Sequence, residues 1–425
     1  MLNKITFIPS NCFIQLVNSN PIDQILIFQD IFTCLIMAEI NKMKNFFYKV
    51  ALLCYLCGLP NFWIEDLKLP KWFMKFFDIF TKINNAIIYC FIAMEEAAFF
   101  TQENLSDKQK SDMLVFVISH PILYGHRIIV SYHEHTVREV MYDMVFKLKT
   151  TYNDLNVESQ MIRKSLLHSG ALIFSCFLSM FIYTLNAFLL TLKNVFTAWP
   201  NVDDTSTVAS VARVISYLFW WIFMTRVFGA YILVICLTTS LSHQYRNLQS
   251  YFENLNNIFE LDVSQEEKER RYEEGFKVGI GLHFDTLQCT KQSHLICHGV
   301  FSGQIVFNVI LLVLFMVQMA HSERTLVHAF GTLLTAFAVL ISTGFFVWNA
   351  GDVTVEASHL STAMYISGWH NCQGKSSIRV RKLVVITMSN AQKPVVLKSL
   401  GIVNLSYQSY LSIVKSSYSV FSVLY

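Results

Sequence analysis

Charge is scarce in this chain. Asp, Glu, Lys and Arg make up 15% of its 425 residues, against ~25% in a typical soluble domain. That scarcity excludes an ordinary soluble globule. The formal net charge is only +3, and the basic residues sit in several loops rather than one patch, so no nucleic-acid partner is expected. Glycine (15) and proline (7) are few while phenylalanine (36) is abundant, a mix that suits packed helices better than barrel strands. The ten cysteines are scattered, mostly inside apolar runs. Cys54 and Cys57 form a CxxC, but no second pair or histidine cluster completes a zinc site. Two small apolar residues on one helix face is the plainer reading. His120 and His126 at the second span, His133 and His135 after it, and His294 and His298 at i,i+4 come with no acidic partner motif. No metal or cofactor is expected from them. Nucleophile motifs, a P-loop and a dinucleotide fingerprint are all lacking, so an enzyme has no support.

What is present is a series of apolar runs near 20 residues long, with a mean hydropathy of +0.42. Such runs cross a hydrocarbon core of ~30 Å as helices. The expected class is an all-α polytopic membrane protein of seven transmembrane helices. The spans are Trp72–Phe100, Asp112–Tyr132, Leu166–Leu192, Val211–Thr239, Ile296–Ala320, Leu326–Ala350 and Ile402–Leu424. No repeat and no clean signal peptide is visible. Residues 1–42 are interrupted by Asn20, Pro21, Asp23 and Asp30. Gln24–Ile40 reads either as an interfacial helix or as an extension ahead of a start at Met43.

The loops after spans 2, 4 and 6 carry seventeen Lys and Arg, and those after spans 1, 3 and 5 carry four. The positive-inside rule makes the first set cytoplasmic. The N-terminus is then cytoplasmic and the C-terminus extracellular, the reverse of a G-protein-coupled receptor. Asn104 starts a glycosylation sequon in a loop expected outside. No cysteine falls in the outer loops, so extracellular disulfides are not expected. Alternating charge in Tyr245–Gln292 has helical spacing and extends spans 4 and 5 below the membrane. Asp352–Trp369 extends span 6, and Ser376–Gln392 forms a basic amphipathic helix before Pro394. The chain divides into an N-terminal extension (1–42), a cytosolic segment (43–71), the six-span part with its cytosolic extensions (72–350), cytosolic anchor helices (351–398) and the last span (399–425).

Several ordered pieces carry a family resemblance. Gly351 to Ser358 reads GDVTVEAS, followed by Ala363, Tyr365 and Trp369. Gln392-Lys393-Pro394, Ser409-Tyr410-Leu411 and Ser417-Tyr418-Ser419-Val420-Phe421 follow, and Gly58-Leu59-Pro60 precedes span 1. In order and spacing the chain resembles the insect odorant receptor family over residues 43–425. The related gustatory receptors favour a Thr-Tyr pair and a Gln-Phe end where this chain has Ser417-Tyr418 and Leu424-Tyr425. The wording EASHL and SYSVFSVLY resembles moth and butterfly receptors, the pheromone group among them.

The resemblance implies a ligand-gated cation channel in the plasma membrane of a sensory dendrite. A tuning subunit binds a small volatile ligand and assembles with a co-receptor as a heterotetramer. The loop Ser240–Leu295 is too short for the co-receptor's insertion, so this chain resembles the tuning subunit. The implied ligand site lies among the outer halves of spans 2, 3, 4 and 6, which supply Val117, Phe177, Phe181, Tyr183, Ile215, Tyr217, Phe330 and Phe337. The implied pore lining is span 7. At about 100° per residue, Ser412, Ser416, Ser419, Val420 and Val423 share a face, and Val420, Val423 and Leu424 are gate candidates. Lys415 either snorkels to an inner vestibule or meets a neighbour's carboxylate. A secondary transporter would show paired broken helices and internal symmetry, which are not seen.

Overall fold

The computed structural model describes residues 42–102, 107–189, 207–321, 326–374 and 377–424. Asn104 and residues 1–41 lie outside these. The helices are α1 (residues 42–56), α2 (Lys71–Thr101), α3 (Asp107–Tyr132), α4 (Glu134–Tyr142) and α5 (Leu148–Thr151), the last two joined by a π-helical turn at Asp143–Lys147. Then come α6 (Leu155–Leu189), α7 (Thr207–Asn254), α8 (Gln265–His321), α9 (Leu326–Tyr365), α10 (Ser377–Ala391) and α11 (Tyr407–Leu424). Six of them (α2, α3, α6, α7, α8 and α9) are long and apolar enough to cross a membrane. The chain is a multi-pass helical membrane protein. α11 is not among the six, because its serines, tyrosines and Lys415 dilute the apolar residues.

α7 is the axis of the bundle. Its membrane stretch is mostly buried, and α6, α8 and α9 pack around it. α2 is peripheral and turns Phe76, Ile79, Phe80 and Ile83 outward. α7, α8 and α9 run on beyond the apolar core and pack there with α10. Tyr245, Phe252, Tyr272 and Phe276 fill this lower layer. Ion pairs lace its rim. Lys164 pairs with Asp352, and Arg379 and Lys277 both reach Glu273. Glu269 accepts the backbone N–H groups of Gln373 and Gly374, at 2.7 and 2.8 Å, and so ties α8 to the segment after α9.

α1 ends at Gly58, whose φ of +78° is a conformation that glycine adopts without a Cβ clash. A Cβ there would lie 2.6 Å from the Arg226 guanidinium. The Gly58 carbonyl accepts from Arg127 of α3 at 2.7 Å. Cys54 and Cys57 act as the small residues of a helix contact. The Cys54 thiol donates to the Gly229 carbonyl at 3.4 Å, and Cys57 abuts Gly229.

Several helix starts differ from the sequence reading, α3 beginning at Asp107 and α7 at Thr207, and two of the shifts have a local cause. α6 begins at Leu155 rather than Leu166, because its first three turns are amphipathic and lie in the lower layer. The last helix begins at Tyr407 rather than Ile402. Residues Lys398–Ser399 and Val403–Asn404 form a two-residue antiparallel hairpin. Its turn holds Leu400 and Gly401 at φ of 53° and 73°, and Ser302 Oγ accepts the Leu400 N–H at 2.9 Å. Ser406 then caps the helix: its Oγ accepts the Ser409 N–H (3.1 Å), and Ser409 Oγ accepts the Ser406 N–H (2.8 Å). This reciprocal cap fixes the start.

Candidate functional site

Five helices line a mainly apolar cavity of about 100 Å³ in the membrane part. α3 supplies Val115, Phe116, Ser119, His120 and Leu123, and α6 supplies Cys176, Ser179, Met180 and Tyr183. α7 adds Trp220, Met224, Val227, Phe228 and Tyr231. α8 adds Phe307, Leu311 and Phe315, and α9 adds Thr335, Ala338, Val339 and Ser342. Such a lining, with few polar groups among aromatic and aliphatic ones, is that of a small-molecule site. Pro121 lies inside α3 beside the wall and removes one rung of its hydrogen-bond ladder.

Polar side chains in hydrocarbon must find partners. On one side of the cavity His120 Nδ1 lies 2.6 Å from the Glu95 carboxylate, and its Nε2 accepts the Trp220 indole N–H at 3.2 Å. The accepted indole proton sets the tautomer, with the imidazole hydrogen on Nδ1 toward Glu95. Below it runs a second chain. His126 Nδ1 lies 3.1 Å from the Tyr231 hydroxyl, which donates to Gln304 Oε1 at 2.6 Å. Gln304 Nε2 donates to Ser342 and Thr343, both at 3.0 Å. Asn308 also donates to Thr343 at 3.0 Å. The network joins α3, α7, α8 and α9 directly behind the cavity. Among the described residues no three His, Cys, Asp or Glu side chains group as a metal site.

Of the eight ligand-site residues read from sequence, Tyr183 lines the cavity. Phe177, Phe181, Ile215, Phe330 and Phe337 are about half exposed on the outside of the bundle. Phe177 stacks edge-on to Trp221 at 5.0 Å. Val117 packs with Ala98 and Met113, and Tyr217 is buried in the core but off the cavity wall. The cavity draws on the same helices together with α8, but mostly on other faces of them. Lipid and protein interior are equally apolar, so an aromatic on a span does not report which side it faces. The polar wall residues Ser119, His120, Ser179 and Ser342 carried the missing signal, because a buried polar group on a span faces protein.

α11 lies against α8 and α9 by one narrow stripe. Ile413 and Ser417 are buried, and the Tyr410 ring meets Trp348 edge-on at 5.3 Å. Ser412, Ser416, Ser419, Val420 and Val423 all stand on the exposed side. The Leu424 side chain lies outside the described residues. The serine hydrogens fold back onto the helix, Ser412 to the Gln408 carbonyl and Ser416 to the Ser412 carbonyl. Their lone pairs therefore face outward. Lys415 is exposed and makes no ion pair among the described residues. A groove between Ile305 and Val309 of α8 and Ser409, Ser412 and Ser416 of α11 borders this face.

A six-span helical core, a lower helical layer, an apolar cavity and a short hydroxyl-rich last helix make up a multi-pass membrane protein with a pocket of small-molecule character. The sequence pattern described as 7tm odorant receptor matches residues 122–418, and the chain belongs to that family. No curated protein matches it in sequence. The fold is similar to that of the insect olfactory receptor OR5 from Machilis hrabei, with a TM-score of 0.75 at 12% identity, covering 91% of this chain and 99% of that one. OR5 in complex with eugenol matches to the same extent.

Proposed function

We propose that this chain is the tuning subunit of an odorant-gated cation channel. The cavity between α3, α6, α7, α8 and α9 binds a small volatile ligand, and α11 lines the pore together with a co-receptor in a heterotetramer. The cavity carries this reading: it is apolar, has few polar groups, and two of the helices that line it, α8 and α9, contact α11. The exposed hydroxyl face of α11 supports the second half, because a polar face on a membrane helix needs water or protein opposite it. The chain sits in the plasma membrane with its N-terminus in the cytosol and its C-terminus outside. That orientation follows from loop charge. A ligand opens the pore only through tighter binding to the open state.

Whole-cell recording with and without a co-receptor, against an odorant panel, tests the reading. The expected result is a ligand-evoked cation current that requires both subunits and survives blockade of G-protein signalling. A response that disappears under that blockade rejects the channel. A tag after Tyr425 that is reached by antibody only in permeabilised cells rejects the orientation.

A further inference from the structure

The cavity's hydrogen-bond accounts are nearly closed on the donor side and open on the acceptor side. A hydroxyl has one hydrogen and two lone pairs. Thr335 Oγ1 donates to the Gly331 carbonyl at 3.0 Å. Ser179 Oγ lies 2.6 Å from Thr335 Oγ1. With the Thr335 hydrogen committed, the hydrogen between them belongs to Ser179. Ser342 donates to the Val339 carbonyl at 2.9 Å and accepts from Gln304. The Tyr231 hydrogen is on Gln304, and the Trp220 hydrogen is on His120. The Tyr183 hydroxyl is engaged by Thr332 and Thr335. Ser119 turns its hydrogen to the Phe116 carbonyl at 3.4 Å, the loosest of the set. What remains for a ligand is the lone pairs of Ser179 and Ser342 and the sulfurs of Met180 and Met224, which are weak acceptors.

We propose that the cavity selects apolar ligands bearing one hydrogen-bond donor, alcohols or phenols, over aldehydes, ketones and esters of the same skeleton. The proposal rests on the cavity being the ligand site. A carbonyl ligand loses its bonds to water and finds only the weak Cys176 thiol and the loosely held Ser119 hydrogen to replace them. A hydroxyl ligand gives its hydrogen to Ser179, whose own hydrogen already points to Thr335. The α6–α9 contact is thus both the wall and the anchor.

The test is a dose–response series on the receptor co-expressed with a co-receptor, using an alcohol, an aldehyde, a methyl ester and an alkane at each of several chain lengths. The alcohol is expected to have the lowest half-maximal concentration, by roughly 3- to 10-fold over the aldehyde, the worth of one neutral hydrogen bond. Ser179→Ala is expected to raise the alcohol value by the same factor and to leave the alkane unchanged. Thr335→Val frees the Ser179 hydrogen and is expected to narrow the gap between alcohol and aldehyde. An aldehyde or ester as potent as its alcohol in the unaltered receptor overturns the donor rule, with no variant needed. Silence to the whole series, together with no binding to the purified protein, overturns the cavity reading beneath it.

Discussion

The Tyr410 hydroxyl of the last helix donates to the Leu340 carbonyl of α9 at 3.2 Å. Leu340 is the residue after Val339 in the cavity wall and two before Ser342. One turn of α9 therefore faces the cavity on one side and holds α11 on the other. Any ligand-driven shift of that turn reaches the proposed pore helix without an intermediary. Tyr410→Phe keeps the ring against Trp348 and deletes only the hydroxyl. The prediction is a shift in the gating equilibrium of up to about tenfold, the range of one neutral hydrogen bond. It is read as a changed half-maximal concentration and maximal current, with ligand affinity in a direct binding assay unchanged. Unaltered gating in this variant removes the contact from the coupling path.

Gln304 is the hub of the buried network, bonded to Tyr231, Ser342 and Thr343. Hydrogen bonds between membrane helices are worth ~0.6 kcal/mol each on average. Gln304→Ala is predicted to cost roughly 2 kcal/mol, since it breaks three of them and leaves the Tyr231 hydroxyl without its acceptor. Thermal melting of the detergent-solubilised protein measures this. A melting point equal to that of the unaltered protein means that the network reorganises around the loss.

These residues also mark what a reader of the sequence alone can and cannot see. Hydropathy locates α3, α7, α8 and α9 because a run of apolar residues long enough to span lipid has few alternatives. It does not orient them. Phe330 and Phe337 are as apolar as Phe307 and Phe315, yet the first pair faces outward and the second lines the cavity. Gln304, Asn308 and His126 do orient their helices, because hydrocarbon offers them no partner. The start of α11 was hidden for a different reason. Ile402 and Val403 extend its apolar pattern backward, while the Ser406–Ser409 cap that ends the hairpin depends on backbone geometry. The lower layer was legible from charge spacing, as in Glu267 with Arg270 and Arg271.

Lys149 lies outside the six spans and is buried among α5 and α6, where its ammonium donates to Asn153 at 2.6 Å with Glu158 and Asp154 nearby. Burial is the main cause that holds its pKa down to about 8 from the usual 10.5. Below about 8 the group is charged whether the protein is folded or unfolded, and the full burial penalty applies. Between the two values the folded state has already released the proton and the unfolded state still binds it, so stability rises with pH. The upper bound on this gain is ~3 kcal/mol. Lys149→Met is predicted to melt higher than the unaltered protein at pH 7.5 and to flatten the rise toward pH 10. A variant that melts lower at pH 7.5 contradicts the assignment.

The two sides of α11 make opposite demands. Ile413 is buried against α8 and α9, so Ile413→Ala is predicted to destabilise the protein by about 2–5 kcal/mol, the usual cost of truncating a core isoleucine. Its signature is reduced surface expression with normal permeation in the channels that form. Val420 and Val423 are exposed, and Val423 is 86% accessible within this chain. Substituting serine there removes no internal contact of comparable size, so expression is predicted to hold. In the proposed pore these valines keep the closed path dry, and Val423→Ser is predicted to raise the ligand-free current. Lys415 stands on the same side, and Lys415→Gln is predicted to change conductance or rectification by removing a positive charge near the cation path. Serine at Val420 and Val423 together with neutral Lys415, leaving leak, conductance and rectification all unchanged, would place this face against lipid or a neighbouring subunit rather than on the ion path.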